Sequence, residues 1–120
     1  MPANEAFSEV FRQLKTILQA YAASMSVTAD NDQAYSLDGP FSRKWKRTLF
    51  FGSAQVKKNY VSFYLMPVYM YPELAKKISP ALKKRMQGKS CFNFQKPEPQ
   101  LFVELTALTQ EGFDRFRKEG

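Results

Sequence analysis

The fold is decided by residues 47–67, which read RTLFFGSAQVKKNYVSFYLMP. Two runs rich in β-branched and aromatic residues flank the polar residues 57–59, and asparagine tolerates the left-handed backbone conformation that a tight turn needs. Along the second run an apolar set of side chains alternates with a polar set: Val61, Phe63 and Leu65 against Tyr60, Ser62 and Tyr64. The stretch therefore predicts the central β-hairpin of a small α+β domain.

A long amphipathic helix is predicted on each side of this hairpin. Apolar residues recur at three- and four-residue steps from Phe7 to Tyr21, which predicts a first helix over residues 5–23 with Asn4 as its cap. The same spacing from Leu101 to Phe116 predicts a second helix, which Gly112 is expected to weaken by about 1 kcal/mol relative to alanine. Each helix has one apolar stripe, so we expect both to cover a core.

The remaining segments predict short elements. Residues 25–29 and 33–37 read as strands, residues 38–40 as a turn, and Gly52 as a β-bulge. Pro72 and Pro80 are suited to start two short helices, and Gly88 to close the second as its C-terminal cap. Residues 89–94 form a last strand, with Phe92 and Phe94 on the core side.

Together these elements predict one α+β domain over residues 1–120. It has an antiparallel sheet of about five strands, covered on one face by the two long terminal helices, with the short helices before the last strand. A hydrophobic content of 44% with 15% aromatic residues is typical of a packed core. No uncharged run approaches the length of about 20 residues that a membrane span needs, and no signal segment precedes the first helix.

The chain contains no histidine and a single cysteine, Cys91. These two facts exclude Ser-His-Asp triads, Cys-His dyads, histidine acid–base catalysis and thiolate-rich zinc or iron–sulfur sites. An unpaired cysteine also suits a reducing compartment. We therefore expect a cytoplasmic protein with no cofactor, no metal site and no membrane association.

Charge is distributed unevenly along the chain, whose net charge is +7. Residues 43–96 hold thirteen Lys or Arg and one acid, Glu73, which gives +12, whereas the rest of the chain holds five bases and ten acids, which gives −5. A basic middle of this kind is typical of an anion-binding surface for phosphate, nucleic acid or an acidic partner. It is equally typical of a solvated surface that lysine keeps soluble.

Two segments, residues 60–64 (YVSFY) and 88–94 (GKSCFNF), resemble the YdhG-like family of small bacterial domains of mostly unknown function. The likeness spans residues 7–116 and implies an antiparallel sheet with the two long helices packed together on one face. Some relatives have been proposed as frataxin-like iron chaperones, which implies clustered carboxylates. Because the middle of this chain holds only Glu73, the sequence disfavours that role.

The sheet face opposite the helices is the candidate binding surface. Aromatic side chains interleaved with Arg and Lys can stack on rings and hold phosphates, although a half-covered sheet also carries such residues for cross-strand pairing alone. Cys91 lacks a histidine to activate it and is expected to be unreactive. The candidate ligand-binding residues are Trp45, Arg47, Tyr60, Tyr64, Lys89, Cys91 and Asn93.

Three functional hypotheses follow. We favour a non-catalytic binding domain, monomeric or homodimeric, for a small anionic or aromatic ligand or a protein partner. The alternative is a nucleic-acid-binding protein, which clustering of the thirteen bases on one surface would favour and dispersal would disfavour. An enzyme would need a deep pocket that joins a Tyr, Lys or Cys91 to a carboxylate, and no spacing in the sequence predicts one.

Overall fold

A computed structural model describes residues 2–42, 46–88 and 90–119. In chain order the elements are α1 (Pro2–Gln19), a 3-10 helix (Ala22–Ser24), β1 (Ser26–Asp30), β2 (Ala34–Ser42), β3 (Arg47–Val56), β4 (Val61–Leu65), α2 (Met66–Met70), α3 (Pro72–Lys76), α4 (Pro80–Lys83), β5 (Met86–Gln87), β6 (Cys91–Phe94) and α5 (Pro99–Glu119). The strands described form one antiparallel sheet in the order β1-β2-β3-β4-β6-β5. The predicted α+β fold, with two long terminal helices and short helices before the last strand, is confirmed.

The central hairpin forms where the sequence predicts it. Val56 of β3 is opposite Val61 of β4, and the turn between them is closed by a hydrogen bond of 2.8 Å from the Lys57 backbone N–H to the Tyr60 carbonyl oxygen. The β2–β3 register shifts beside Gly52, at the position predicted for a bulge. The hairpin therefore sets the register of the whole sheet.

The core lies between one face of this sheet and the two terminal helices. Alternation along β4 and β6 directs Val61, Phe63, Leu65, Phe92 and Phe94 to that face, where all five are fully buried. They belong to one apolar cluster with residues of α1 and α5: Val10, Leu14, Leu18, Leu105, Leu108 and Phe116. The opposite sheet face is left without either long helix.

The short helices begin at the predicted prolines. Pro72 starts α3 and Pro80 starts α4, where the Ser79 hydroxyl accepts the Leu82 backbone N–H at 3.1 Å. The sequence does not predict the helix α2 (Met66–Met70). Pro67 in its first turn fixes a backbone angle that helix formation needs.

Three boundaries differ from the sequence prediction. The helix α1 begins at Pro2, so Asn4 lies inside it and is not its cap, and it ends at Gln19. Residues 38–40 lie within strand β2 and do not form a turn. The helix α4 ends at Lys83, and Gly88, with a φ angle of +81°, lies after β5 and does not cap the helix. With β5 added, the described sheet has six strands where about five were predicted.

Among the described residues, no helix combines the length and the apolar character that crossing a bilayer requires.

Candidate ligand-binding site

The uncovered sheet face brings three of the predicted residues together: Tyr64, Cys91 and Asn93. Tyr64 is opposite Cys91, and Ser62 is opposite Asn93, in the β4–β6 ladder. The Ser62 hydroxyl donates to the Asn93 Oδ1 at 2.7 Å, and the Cys91 thiol lies 3.4 Å from the same oxygen. The Asn93 amide in turn donates to the Gln87 Oε1 at 2.7 Å. These bonds fix the orientation of the Asn93 side chain.

On the same sheet face, side-chain hydrogen bonds also link residues of β3 and the turn that follows it. The Gln55 amide donates to the Ser53 hydroxyl at 3.2 Å, and the Lys57 Nζ donates to the Gln55 Oε1 at 2.8 Å while lying 5.9 Å from the centroid of the Tyr64 ring. Ser53 and Ser62 are 0% and 1% exposed, although no long helix covers them. Because the polar groups at the centre of this face bind one another, the centre offers few of them to a ligand.

Burial governs the chemistry of Cys91 within this network. Removal of the thiol from water raises the pKa of Cys91 above its ordinary value of 9.0, although Ser62, Tyr64 and Lys57 oppose the shift. A protonated thiol is a poor nucleophile at neutral pH. The geometry is consistent with the unreactive cysteine that the sequence predicts. Burial also raises the pKa of the neighbouring Tyr64 hydroxyl.

A cavity of about 540 Å³ opens beside this network, at the edge of the sheet that β5 forms. We call it the basic groove and define it by six of its lining residues: Tyr60, Lys84, Arg85, Gln87, Asn93 and Lys96. Tyr60 and Asn93, both predicted as ligand-binding residues, therefore share one cavity with three cations. A neighbouring cavity of about 710 Å³ shares Lys84, Arg85 and Lys96 with it.

One carboxylate, Glu98, lines the basic groove, and it is already paired. The Arg85 guanidinium donates two hydrogen bonds to it, of 2.7 and 2.9 Å, and the Glu98 side chain is only 17% exposed. No ion pair joins Lys84 or Lys96 to any other described residue. Two lysines without an ion-pair partner among the described residues therefore line the groove.

The structure does not assemble the predicted residues into a single site. Arg47 begins β3, whereas Tyr60 follows the far end of that strand, a separation of about 30 Å at 3.3 Å per residue. Arg47 lines a different cavity, of about 440 Å³. Trp45 and Lys89 lie outside the described residues. Because the strand is this long, Arg47 does not share the cavity that Tyr60 and Asn93 line.

The sequence does not group Lys84, Arg85, Gln87 and Lys96 with the candidate residues Tyr60 and Asn93. The basic run at residues 83–85 was visible in the sequence, but its position depends on β5, a strand of only two residues. The pairing of Met86 with Phe92 places this run beside β6. No periodicity can predict so short a strand.

Comparison of the chain with known protein families, with curated proteins and with solved structures finds no match. The resemblance to the YdhG-like family therefore stays a prediction. Among the described residues, no three Cys, Asp or Glu side chains lie close enough together to hold a metal ion. The iron-chaperone alternative has no candidate site in that part of the chain.

Proposed function

We propose that this protein is a non-catalytic binding domain whose basic groove takes a small anionic ligand. The observation that carries the proposal is the pair of ammonium groups, on Lys84 and Lys96, that line a cavity of about 540 Å³ without a carboxylate partner among the described residues. Cavities of roughly 300–1,000 Å³ are typical of small-molecule sites. The ligand class is a phosphate or carboxylate compound.

The other residues that line the basic groove orient the ligand and add no net charge. Lysine acts as a mobile point charge for phosphate, whereas Arg85 is held in place by its two bonds to Glu98. The amides of Gln87 and Asn93 lie at the sheet edge and can bind the remaining oxygens of an anion. The Tyr60 ring, at the same cavity, suits an aromatic group on that anion.

The placement of the described bases supports a small ligand over a nucleic acid. Lys57 and Lys58 lie at the tip of the central hairpin, whereas Arg47 lies at its other end. Lys77 directly follows α3 and is paired with Glu111 of α5 at 2.9 Å. Bases dispersed in this way disfavour a nucleic-acid-binding protein and favour a binding domain for a small ligand.

Titration calorimetry with pyrophosphate at low and at physiological salt tests the proposal. The double variant Lys84→Gln/Lys96→Gln should bind pyrophosphate at least about tenfold more weakly than the parent chain, a loss of about 1.4 kcal/mol. The matched control is Lys76→Gln/Lys118→Gln, which removes the same charge from residues that do not line the groove. It should leave the affinity within about twofold.

Two results would overturn the proposal. One is an absence of pyrophosphate binding even at low salt, and the other is an equal loss in the groove and control variants. Fluorescence anisotropy with labelled oligonucleotides tests the alternative directly. A tight complex whose log–log salt slope approaches about −0.9 for each of several phosphates would favour nucleic acid.

A further inference from the structure

The cavity of about 440 Å³ that Arg47 lines lies at the other end of the central hairpin from the basic groove. Residues of the early part of β3 and of helix α2 line it. We call it the apolar pocket and define it by six lining residues: Asp38, Arg47, Phe50, Met66, Tyr69 and Met70. Its volume is within the range of small-molecule sites.

The wall of the apolar pocket is adaptable and partly exposed. Met66 and Met70 are four residues apart on α2 and so lie on the same face of that helix. Both are partly exposed, and Tyr69 between them is 59% exposed. Phe50 closes the sheet side. Flexible thioethers beside aromatic rings fit ligands of varied shape, so this wall suits an apolar or aromatic body.

Two opposite charges line the same pocket. Asp38 on β2 is opposite Phe50 on β3, and the β2–β3 register is irregular on both sides of Asp38. Such irregularities re-aim side chains and are frequent at binding sites. Within the described residues, neither the Asp38 nor the Arg47 side chain forms a hydrogen bond or an ion pair. One carboxylate and one guanidinium are thus free to bind a ligand.

From this charge pattern we infer that the apolar pocket binds a small zwitterion with an apolar body, of which a free aromatic amino acid is the simplest example. The Arg47 guanidinium binds the ligand carboxylate through two parallel hydrogen bonds. The Asp38 carboxylate binds the ammonium group, which the aromatic face of Phe50 also attracts. The apolar body lies against Met66 and Met70. This site is independent of the anion site in the basic groove.

Methyl NMR of the full chain with ¹³C-labelled methionine tests the inference. L-phenylalanine should shift the Met66 and Met70 methyl signals saturably and leave those of Met25 and Met86 in place, since only the first two line the pocket. The analogues 3-phenylpropanoate, which lacks the ammonium group, and phenethylamine, which lacks the carboxylate, should bind at least about tenfold more weakly.

Charge variants complete the test. Arg47→Gln and Asp38→Asn should each weaken L-phenylalanine binding about tenfold. The matched controls, Lys58→Gln and Asp32→Asn, change the same charges at exposed turn residues and should leave the affinity unchanged. Binding of either analogue as tight as that of L-phenylalanine, or no saturable shift at Met66 and Met70, would overturn the inference. Because Met86 lines the basic groove, pyrophosphate shifts at Met86 report separately on the proposed anion site.

Discussion

Gly39 shows how one residue can override the local preference of a sequence. The Gly-Pro pair at positions 39 and 40 is a turn signal, yet the chain runs through it as strand β2. A Cβ atom on Gly39 would overlap the Cε2 of Phe116, which belongs to α5. The glycine is needed for close packing against a residue distant in sequence, and no short-range pattern can predict that contact.

Replacement of Gly39 by alanine should therefore destabilise the protein. The added methyl group forces the buried Phe116 ring to move, with an expected loss of about 1–3 kcal/mol in the free energy of unfolding, measured by urea denaturation. In a Phe116→Leu background, which lacks the ring edge, the cost of Gly39→Ala should fall by more than half. Equal costs in the two backgrounds would show that the ring contact is not the cause.

Burial of Cys91 predicts a loss of stability at alkaline pH. Because its pKa is raised in the folded state above the ordinary 9.0, the contribution of the thiol to stability is complete below that value and is lost as pH rises through the folded-state pKa. Urea unfolding at a series of alkaline pH values should show the decline. In Cys91→Ala, the part of this decline that begins at the lowest pH should disappear. The part due to tyrosines should remain, because burial also raises the pKa of Tyr21, Tyr35 and Tyr64. An identical pH profile in Cys91→Ala would contradict this assignment.

At the scale of elements, segments with a strong hydrophobic period and helices begun by Pro72 and Pro80 were predictable, whereas two short elements were not. The central hairpin and both terminal helices follow from hydrophobic periodicity, and α3 and α4 from their prolines. The five-residue helix α2 and the two-residue strand β5 have no period of their own and depend on tertiary packing. The basic groove was missed for the same reason, since β5 brings Lys84 and Arg85 to its lining.

Helix α5 contains a glycine whose role differs from the sequence expectation. An exposed helical glycine replaced by alanine normally stabilises by about 1 kcal/mol. Gly112, however, is buried, and a Cβ there would lie 2.9 Å from the Cβ of Pro67 in α2. Because the buried Pro67 ring cannot rotate away, we expect Gly112→Ala to lower the free energy of unfolding by about 1 kcal/mol despite the better helix propensity.

Thermal and urea denaturation of Gly112→Ala would test this reversal of sign. The control is Ala107→Gly, at an exposed position of the same helix, which should cost about 1 kcal/mol from propensity alone. A Gly112→Ala variant more stable than the parent chain would show that α2 gives way to the methyl group.

In the folded molecule, regions of opposite charge that are separate in the sequence lie close enough together to form ion pairs. The basic middle and the acidic C-terminal region meet in the pairs Lys77–Glu111 and Arg85–Glu98. The one acid of the middle, Glu73, is paired in the opposite sense with Arg115 of α5. Exposed pairs contribute little to stability. Because these pairs neutralise some of the charges, the unpaired charges remain at particular places. The basic groove is one of these places.

Replacement of Glu98 tests whether the Arg85–Glu98 ion pair weakens anion binding in the basic groove. Glu98→Gln removes the carboxylate that neutralises Arg85 in the basic groove. One more net positive charge within reach of an anion is worth about 1 kcal/mol at a solvated distance of about 4 Å, so pyrophosphate should bind about fivefold more tightly by calorimetry. The partly buried ion pair is lost at the same time, and the free energy of unfolding should fall by about 1 kcal/mol.

Glu111→Gln is the matched control for Glu98→Gln. It removes the same charge and breaks the pair with Lys77. It lies thirteen residues after Glu98, which directly precedes α5, and this is about 20 Å at 1.5 Å per residue. That distance exceeds the screening length of about 8 Å at physiological salt, so its pyrophosphate affinity should match that of the parent chain. If both variants gained affinity equally, binding would depend on net charge alone. A gain confined to Glu98→Gln would locate the anion at Arg85, Lys84 and Lys96.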